Sequence, residues 1–298
     1  MIASEIEIAY DPGLVEAAVL AGVAARGVER SFRHERDALY EVADAETRED
    51  AFRSLHARWL LRLGLDAPFR QALDELPEIG RRCARCLVAR ATRASDEAAD
   101  LRMLPAGPPT ILVLIRPETF VAPECLLGFL RRELLHVADM LDPRFGYVPD
   151  SLGGGGLPHG TLLQSRYRTL WDTFVDGRLV RRGHAPDSVR ADRLRKFRRV
   201  FPAVGDRVDV EFERFFGTDG LRHADLVAFV RCDGAAGACC PLCQLPAGAF
   251  ETAPERLPRD LIAAISADFP AWAPTTGLCR RCAELYSVRL PARQRGEP

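Results

Sequence analysis

The stretch Leu130-Arg131-Arg132-Glu133-Leu134-Leu135-His136-Val137-Ala138-Asp139 decides how the rest of the chain is interpreted. It lies in a segment that begins at Pro123 and ends at the pair Asp142-Pro143. Proline is favoured in the first turn of a helix and is common just after its end, because it cannot continue the helix. The sequence therefore predicts one helix of about five turns over this segment, which we call the motif helix.

The motif helix carries apolar residues on most of its sides. One stripe at helical spacing consists of Leu127, Leu130, Leu134, Val137 and Leu141. A helix that is apolar on most sides is usually buried. Arg132, Glu133 and His136 fall on a second face, and buried polar groups need partners. These three residues are therefore the first candidates for chemistry.

The segment Arg132-Glu133-Leu134-Leu135-His136 resembles the H-E-x-x-H motif of zincin metallopeptidases, with one departure. In that motif two histidines one turn apart bind zinc, and the glutamate activates the metal-bound water. The resemblance implies that Glu133 is the general base and that His136 is a zinc ligand. Arg132 stands where the first histidine is expected, and its guanidinium has no lone pair for a metal.

A second helix, predicted at about 161–182, carries Asp172 and Asp176 one turn apart. In gluzincins, a branch of the zincins, the third zinc ligand is a carboxylate on a later helix. A further carboxylate one turn on supports a histidine ligand. The resemblance therefore implies that Asp172 is a ligand and that Asp176 orients another one. The alternative is a solvated acidic edge beside Arg168 and Arg178.

The region before the motif helix is interpreted as scaffold. Residues 110–115 form a short apolar, β-branched run bounded by prolines, which predicts a buried strand. A zincin fold has a strand at this place, in the sheet whose edge lines the substrate cleft. Residues 1–80 are predicted to be mostly helical and without chemistry. The acidic segment 96–100 is interpreted as a solvated helix end.

Two C-x-x-C pairs, Cys240-Pro241-Leu242-Cys243 and Cys279-Arg280-Arg281-Cys282, give the strongest signal. Each pair can hold one side of a tetrahedral zinc ion, and four thiolates leave no position open for a substrate. We therefore predict a structural zinc site. The second pair is expected to open a helix, in which respect this segment resembles treble-clef zinc modules.

No role is assigned to Cys83, Cys86, Cys232 and Cys239. The first two form a C-x-x-C pair, which fits half a metal site or a redox pair and equally fits two plain thiols on a helix.

Composition limits the classes of function. The chain has 298 residues, with 41 basic and 42 acidic side chains, and this balance argues against a dedicated nucleic-acid-binding protein. A protein or peptide partner is expected instead. The basic segment 188–199 is either a solvated helix or a docking surface for an acidic partner.

The lengths of the apolar runs and the sequence of the first five residues bear on the cellular location of the protein. No apolar run approaches the roughly 20 residues needed to span a bilayer, so no membrane partner is expected. Met1-Ile2-Ala3-Ser4-Glu5 lacks the features of a signal peptide. We therefore expect a cytoplasmic protein, in which nine cysteines point to metal or redox chemistry rather than to disulfides.

Three hypotheses remain open for the motif helix. In the first, His136 and Asp172, with Asp139 or His159, hold a catalytic zinc beside Glu133, and the protein hydrolyses peptide or amide bonds. In the second, the Arg132 guanidinium replaces the metal and pairs with Asp172 or Glu133. The protein is then an inactive relative that acts as a scaffold or as a regulatory, protein-binding module. In the third, the resemblance is accidental.

The predicted architecture is α+β and predominantly helical. A zincin-like main domain with a small sheet occupies residues 1–230, with a helical scaffold at 1–104 and the motif core at 110–182. A small zinc-binding module with four cysteines occupies residues 231–298.

Overall fold

The structure is a computed structural model. It describes residues 6–103, 107–149, 151–152, 158–232, 240–243, 250–251, 257–270 and 272–289. The chain divides into two compact units: the first comprises residues 1–147 and 181–185, and the second comprises residues 148–180 and 186–298. The predicted domain boundary at residue 231 stays a prediction.

The first unit combines helices with a four-stranded sheet. Its helices are α1 (Pro12–Ala25), α2 (Glu29–Asp37), α3 (Ala45–Arg62), α4 (Ala67–Asp74), α5 (Pro77–Arg82), α6 (Pro117–Phe120) and α7 (Pro123–Leu141). Its strands are β1 (Glu7–Tyr10), β2 (Arg85–Arg90), β3 (Ala98–Arg102) and β4 (Thr110–Ile115). The motif helix is α7, with the bounds that its prolines predict.

The sheet has the strand order β1-β2-β4-β3. The pairs β1–β2 and β2–β4 are parallel, whereas β3 pairs with β4 in the antiparallel sense. The predicted strand at 110–115 is thus confirmed as β4, and it is an inner strand with most of its residues buried. This burial explains its continuous apolar sequence, since an inner strand is covered on both faces.

Three strands were missed in the region interpreted as a helical scaffold. The acidic segment 96–100 is not a solvated helix end, because residues 98–102 form the edge strand β3. Asp100 and Arg102 point to solvent there, and charged residues are common on edge strands. Cys83 follows α5 and Cys86 lies in β2, so these two thiols are not on a helix.

The second unit is mostly helical. Its helices are α8 (Pro158–Arg181), which belongs to it as far as Val180, α9 (Ser188–Val200), α10 (Val208–Phe216), α11 (His223–Cys232), α12 (Arg259–Asp268) and α13 (Arg280–Arg289). A two-stranded antiparallel sheet joins β5 (Phe250–Glu251) and β6 (Leu278–Cys279).

Among the described residues of the second unit, two groups of buried side chains form parts of its core. One is a cluster of buried aromatic rings from α9, from the residue that follows it, and from α10 and α11, with centroids 4.7 to 6.0 Å apart: Phe197, Phe201, Phe212, Phe215 and Phe229. The other surrounds the four cysteines and includes Leu261, Ile265 and Trp272. The α+β, predominantly helical fold class is confirmed. Among the described residues, no helix has the length and apolar character needed to cross a membrane.

Candidate metal centre and the motif helix

The four predicted cysteines meet in one buried cluster. Their sulfur atoms all lie within 4.8 Å of one another, with Cys240 Sγ 3.9 Å from Cys282 Sγ and Cys243 Sγ 3.7 Å from Cys279 Sγ. Sulfurs bound tetrahedrally at about 2.3 Å from one zinc ion are about 3.8 Å apart, whereas disulfide sulfurs are about 2.05 Å apart. The spacing fits a group of four ligands that could hold a metal ion.

Local backbone structure brings the two pairs together. Cys279 ends β6, and Cys282 lies in the first turn of α13, so the expectation that the second pair opens a helix is confirmed. The backbone N–H of Cys279 donates to Cys240 Sγ at 3.3 Å. Hydrogen bonding with the Cys243 and Cys282 thiols and with backbone N–H groups holds the pKa of Cys240 below its usual value. The thiolate form, which binds metals, is thereby favoured.

Side chains around the cluster exclude water from it. The four cysteines are between 0 and 7% exposed, so a bound ion would have no position open to a substrate. Trp272 Nε1 donates to the Gly277 carbonyl at 2.9 Å, and Tyr286 OH donates to Asp268 at 2.7 Å. Gly277 has a φ of 72°, which favours glycine at the turn before β6. The arrangement fits a structural site rather than a catalytic one.

The polar residues of the motif helix are buried, as predicted. Glu133, His136 and Asp139 are 5%, 2% and 5% exposed, and Arg132 is half-buried. Glu133 Oε2 accepts a hydrogen bond from the backbone N–H of Ala99 in the edge strand β3, at 3.4 Å. The Glu133 carboxylate, which the zincin resemblance makes the candidate general base, therefore lies against the edge strand β3.

An ion pair fixes the middle of the motif helix to α4. Arg131 donates two hydrogen bonds to the Glu75 carboxylate, at 2.8 and 2.6 Å. These bonds keep the pKa of Glu75 below its usual value. His184 Nδ1 lies 3.6 Å from the same carboxylate. Arg131 therefore has a structural role, although it neighbours the candidate residues in sequence.

Asp172 and Asp176 of α8 are buried, and the alternative of a solvated acidic edge is wrong. They are 7% and 5% exposed. Arg193 of α9 contacts both carboxylates: its Nε donates to Asp176 at 2.8 Å, and its Nη1 donates to Asp172 at 3.1 Å. Arg168 Nε and Lys196 Nζ lie 3.3 and 3.7 Å from Asp172. We call these five residues the acid–arginine cluster.

Arg193 is the residue that sequence reasoning missed. The basic segment 188–199 was interpreted as a solvated helix or a docking surface, yet Arg193 is only 7% exposed and serves neither role. Its partners lie 17 and 21 residues earlier in the chain. A basic run gives no sign of which of its members turns inward, although an acidic pair on a neighbouring helix was available as a signal.

Several sequence predictions are left untested. Glu133, His136 and Asp139 belong to the first unit, and Asp172 and Asp176 to the second, so a shared metal stays a prediction. The pairing of Arg132 with Asp172 or Glu133 also stays one. The side chains of His159 and Cys232, and all of Cys239, lie outside the described residues.

Cys83 and Cys86 do not resemble a reactive pair. They are 2% and 1% exposed, and burial raises the pKa of their thiols to about 11 and about 12. Both thiols are then protonated at neutral pH, and a protonated thiol is a poor nucleophile and a poor metal ligand. The description that fits them is two buried apolar thiols.

Comparison with known proteins adds no family assignment. No protein-family profile matches this sequence, and no curated protein or solved structure is significantly similar to it. The zincin resemblance therefore rests on the residues of β4, of the motif helix and of α8 alone.

Proposed function

We propose that the protein is a zinc-stabilised module that binds a protein or peptide partner, and that its motif helix is a structural element rather than a peptidase site. One observation carries the second part of this proposal, the structural role of the motif helix: Asp172, the third ligand that the resemblance implies, has both carboxylate oxygens engaged by Arg168, Arg193 and Lys196. A carboxylate that is already surrounded by cations is a poor ligand for a further dication.

The position of the first expected zinc ligand also argues against a catalytic metal at the motif helix. Arg132 stands where the resemblance expects a histidine, and a guanidinium cannot bind a metal. Two of the three protein ligands expected of a catalytic zinc are therefore compromised, one by substitution and one by ion pairing. Catalytic zinc sites use three protein ligands and keep a fourth position for water.

Zinc is the metal we propose for the cysteine cluster. Soft thiolate ligands in a tetrahedral set select zinc or an iron–sulfur centre, and sulfur–sulfur distances of 3.7 and 3.9 Å fit a single ion with four ligands. Metal binding of this kind contributes folding free energy directly. The ion would join the segment at 240–243 to β6 and α13.

Peptide hydrolysis tests the proposal. Wild-type protein, Glu133→Gln and Glu124→Gln should be incubated with zinc and a library of fluorogenic peptides. Glu124 is an exposed residue of the same helix and serves as the matched control. We expect all three to match the rate without protein. Zinc-dependent hydrolysis that Glu133→Gln removes and Glu124→Gln retains would overturn the proposal.

One observation favours a second candidate, a lapsed peptidase site that has lost one metal ligand. Glu133, His136 and Asp139 are spaced by three residues and all buried in α7, and residues three apart on a helix are neighbours on its surface. Arg132→His restores the missing ligand. An additional zinc bound by this variant would support a lapsed peptidase site, whereas an unchanged zinc content would contradict it.

A further inference from the structure

Three side chains of the second unit form a hydrogen-bonded chain outside the cysteine cluster and the acid–arginine cluster. Ser151 Oγ lies 2.9 Å from His223 Nε2, and Tyr167 OH lies 2.7 Å from His223 Nδ1. Each imidazole nitrogen thus contacts one hydroxyl group. A hydroxyl nucleophile, a base within hydrogen-bond reach and a third group that orients the base form the general pattern of nucleophilic catalysis.

The three hydrogen-bonded side chains are buried to different degrees. His223 is 5% exposed and Tyr167 is 8% exposed, whereas Ser151 is half-buried. The hydroxyl that would react is therefore at the accessible end, and the base and its orienting group are inside. Desolvation by burial lowers the pKa of His223, so the ring is neutral at neutral pH and has a lone pair to accept a proton.

Further contacts hold Ser151, His223 and Tyr167 in place. Arg231 donates to the carbonyl oxygen of Ser151 at 2.9 Å, which fixes the backbone of the candidate nucleophile. The Tyr167 ring meets the His223 ring edge to face, with centroids 5.4 Å apart, and packs at 5.5 Å against Trp171. Preorganisation of this kind is what a nucleophile and its base require.

The tautomer of His223 decides which of its ring nitrogens can accept the proton of Ser151. With the proton on Nδ1, the imidazole donates to the Tyr167 oxygen, and the Nε2 lone pair accepts from Ser151. In this tautomer the Tyr167 oxygen accepts the hydrogen bond from Nδ1–H and holds the ring with Nε2 towards Ser151, which is the orienting role of the third group in known triads.

We propose that Ser151 is a nucleophile activated by His223, that Tyr167 is its positioning residue, and that the site accepts activated carboxylic esters. Ser151 Oγ forms a bond to the carbonyl carbon while its proton passes to His223 Nε2. The carbon–oxygen bond to the leaving group then breaks, and the leaving alkoxide takes that proton. Water attacks the acyl-serine by the same route, which releases the acid and restores the hydroxyl. The site is independent of the proposed zinc and of the motif helix.

A fluorophosphonate probe tests the nucleophile directly, because it replaces its fluoride with an activated serine oxygen. The full-length protein should be treated with the probe at neutral pH and mapped by peptide mass spectrometry. We expect one adduct, on Ser151, that Ser151→Ala removes. Ser188→Ala, which changes an exposed serine of the same unit, should label like the wild type. Labelling of Ser151 no faster than that of Ser188 would overturn the proposal.

Variants of the base and of its orienting group test the mechanism. His223→Gln should slow labelling by about 100-fold or more, which is the contribution of a general base. An unchanged rate in folded His223→Gln would contradict the base assignment. Tyr167→Phe should slow labelling and move the pH at which it is half-maximal, whereas loss of a merely structural contact would leave that pH unchanged.

The wild-type protein alone gives an answer if a variant fails to fold. Its labelling rate should fall as the pH is lowered, with a midpoint below the usual histidine pKa of about 6.5, because protonated His223 cannot accept the serine proton. A rate that is independent of pH over the whole acidic range in which the protein stays folded would overturn the proposal.

Discussion

At the scale of single residues, Arg193 is the most informative side chain of the second unit. Its guanidinium reaches Asp172 and Asp176 together, and all three side chains are between 7 and 10% exposed. A buried ion pair is weak support for stability by itself, because desolvation offsets the attraction of the charges. Removing one partner is a different matter, since it leaves the other charges buried.

Arg193→Met should therefore destabilise the protein by about 3–5 kcal/mol. Arg195→Met, on the same helix, changes a side chain that is 71% exposed and should alter stability by no more than about 0.5 kcal/mol. Urea denaturation of both variants beside the wild type measures the difference. Equal destabilisation by the two substitutions would show that the acid–arginine cluster does not contribute as described.

His56 gives the first unit a pH dependence. It is 8% exposed and its ring stacks on that of Phe32, with centroids 5.9 Å apart. Burial lowers its pKa in the folded state, so the unfolded chain binds a proton first as the pH falls. The stability that neutral His56 contributes is complete above its unfolded pKa of about 6.5 and is lost as the pH falls through its folded pKa.

We expect the urea concentration at the unfolding midpoint of the wild type to decrease as the pH is lowered from about 7.5 to about 5.5. The decrease should be smaller in His56→Phe. His34→Phe, at an exposed position of α2, is the control and should retain the wild-type dependence. An identical fall in wild type and His56→Phe would contradict the account of His56. The comparison between variants removes any pH effect from the cysteine cluster, which all three share.

At the scale of elements, two helical glycines have opposite roles. A Cβ at Gly177 of α8 would lie 1.9 Å from the carbonyl oxygen of Phe216 at the end of α10, so only glycine allows these two backbones to approach. A Cβ at Gly128 of α7 meets nothing within 4 Å. Glycine costs a helix about 0.5–1 kcal/mol relative to alanine where no such contact exists.

Gly177→Ala should consequently destabilise the protein by about 1–3 kcal/mol or more, and Gly128→Ala should stabilise it by about 0.5–1 kcal/mol. Thermal unfolding of the two variants measures both effects. A stabilised Gly177→Ala would mean that α8 and α10 do not approach as closely as described.

The elements that the sequence predicts well are those with strong local signals. Pro123 and Pro143 flank α7, and an unbroken apolar run marks β4. The strands β1, β2 and β3 have weaker signals, because they are four to six residues long and carry charged residues such as Glu7, Arg85 and Asp100. Their strand conformation depends on pairing with distant partners, and no local pattern reports that pairing.

At the scale of the whole molecule, the cysteine cluster and the acid–arginine cluster differ in how far the sequence could predict them. Four cysteines in two C-x-x-C pairs identify their own ligand set, and the structure brings them within 4.8 Å. The contacts of Asp172 could not be predicted in this way. Its cation Arg193 comes from a separate helix, so the ion pairs exist only once α8 and α9 have packed together.

The measurement that tests the account most directly is zinc per chain by elemental analysis, in the wild type and in Cys240→Ser/Cys279→Ser. Two thiolate ligands are lost in this variant, and the cysteine cluster can no longer close around an ion. We predict about one zinc in the wild type and none in the variant. About two in the wild type, with one surviving the substitutions, would contradict the claim that the motif helix is a structural element without a metal.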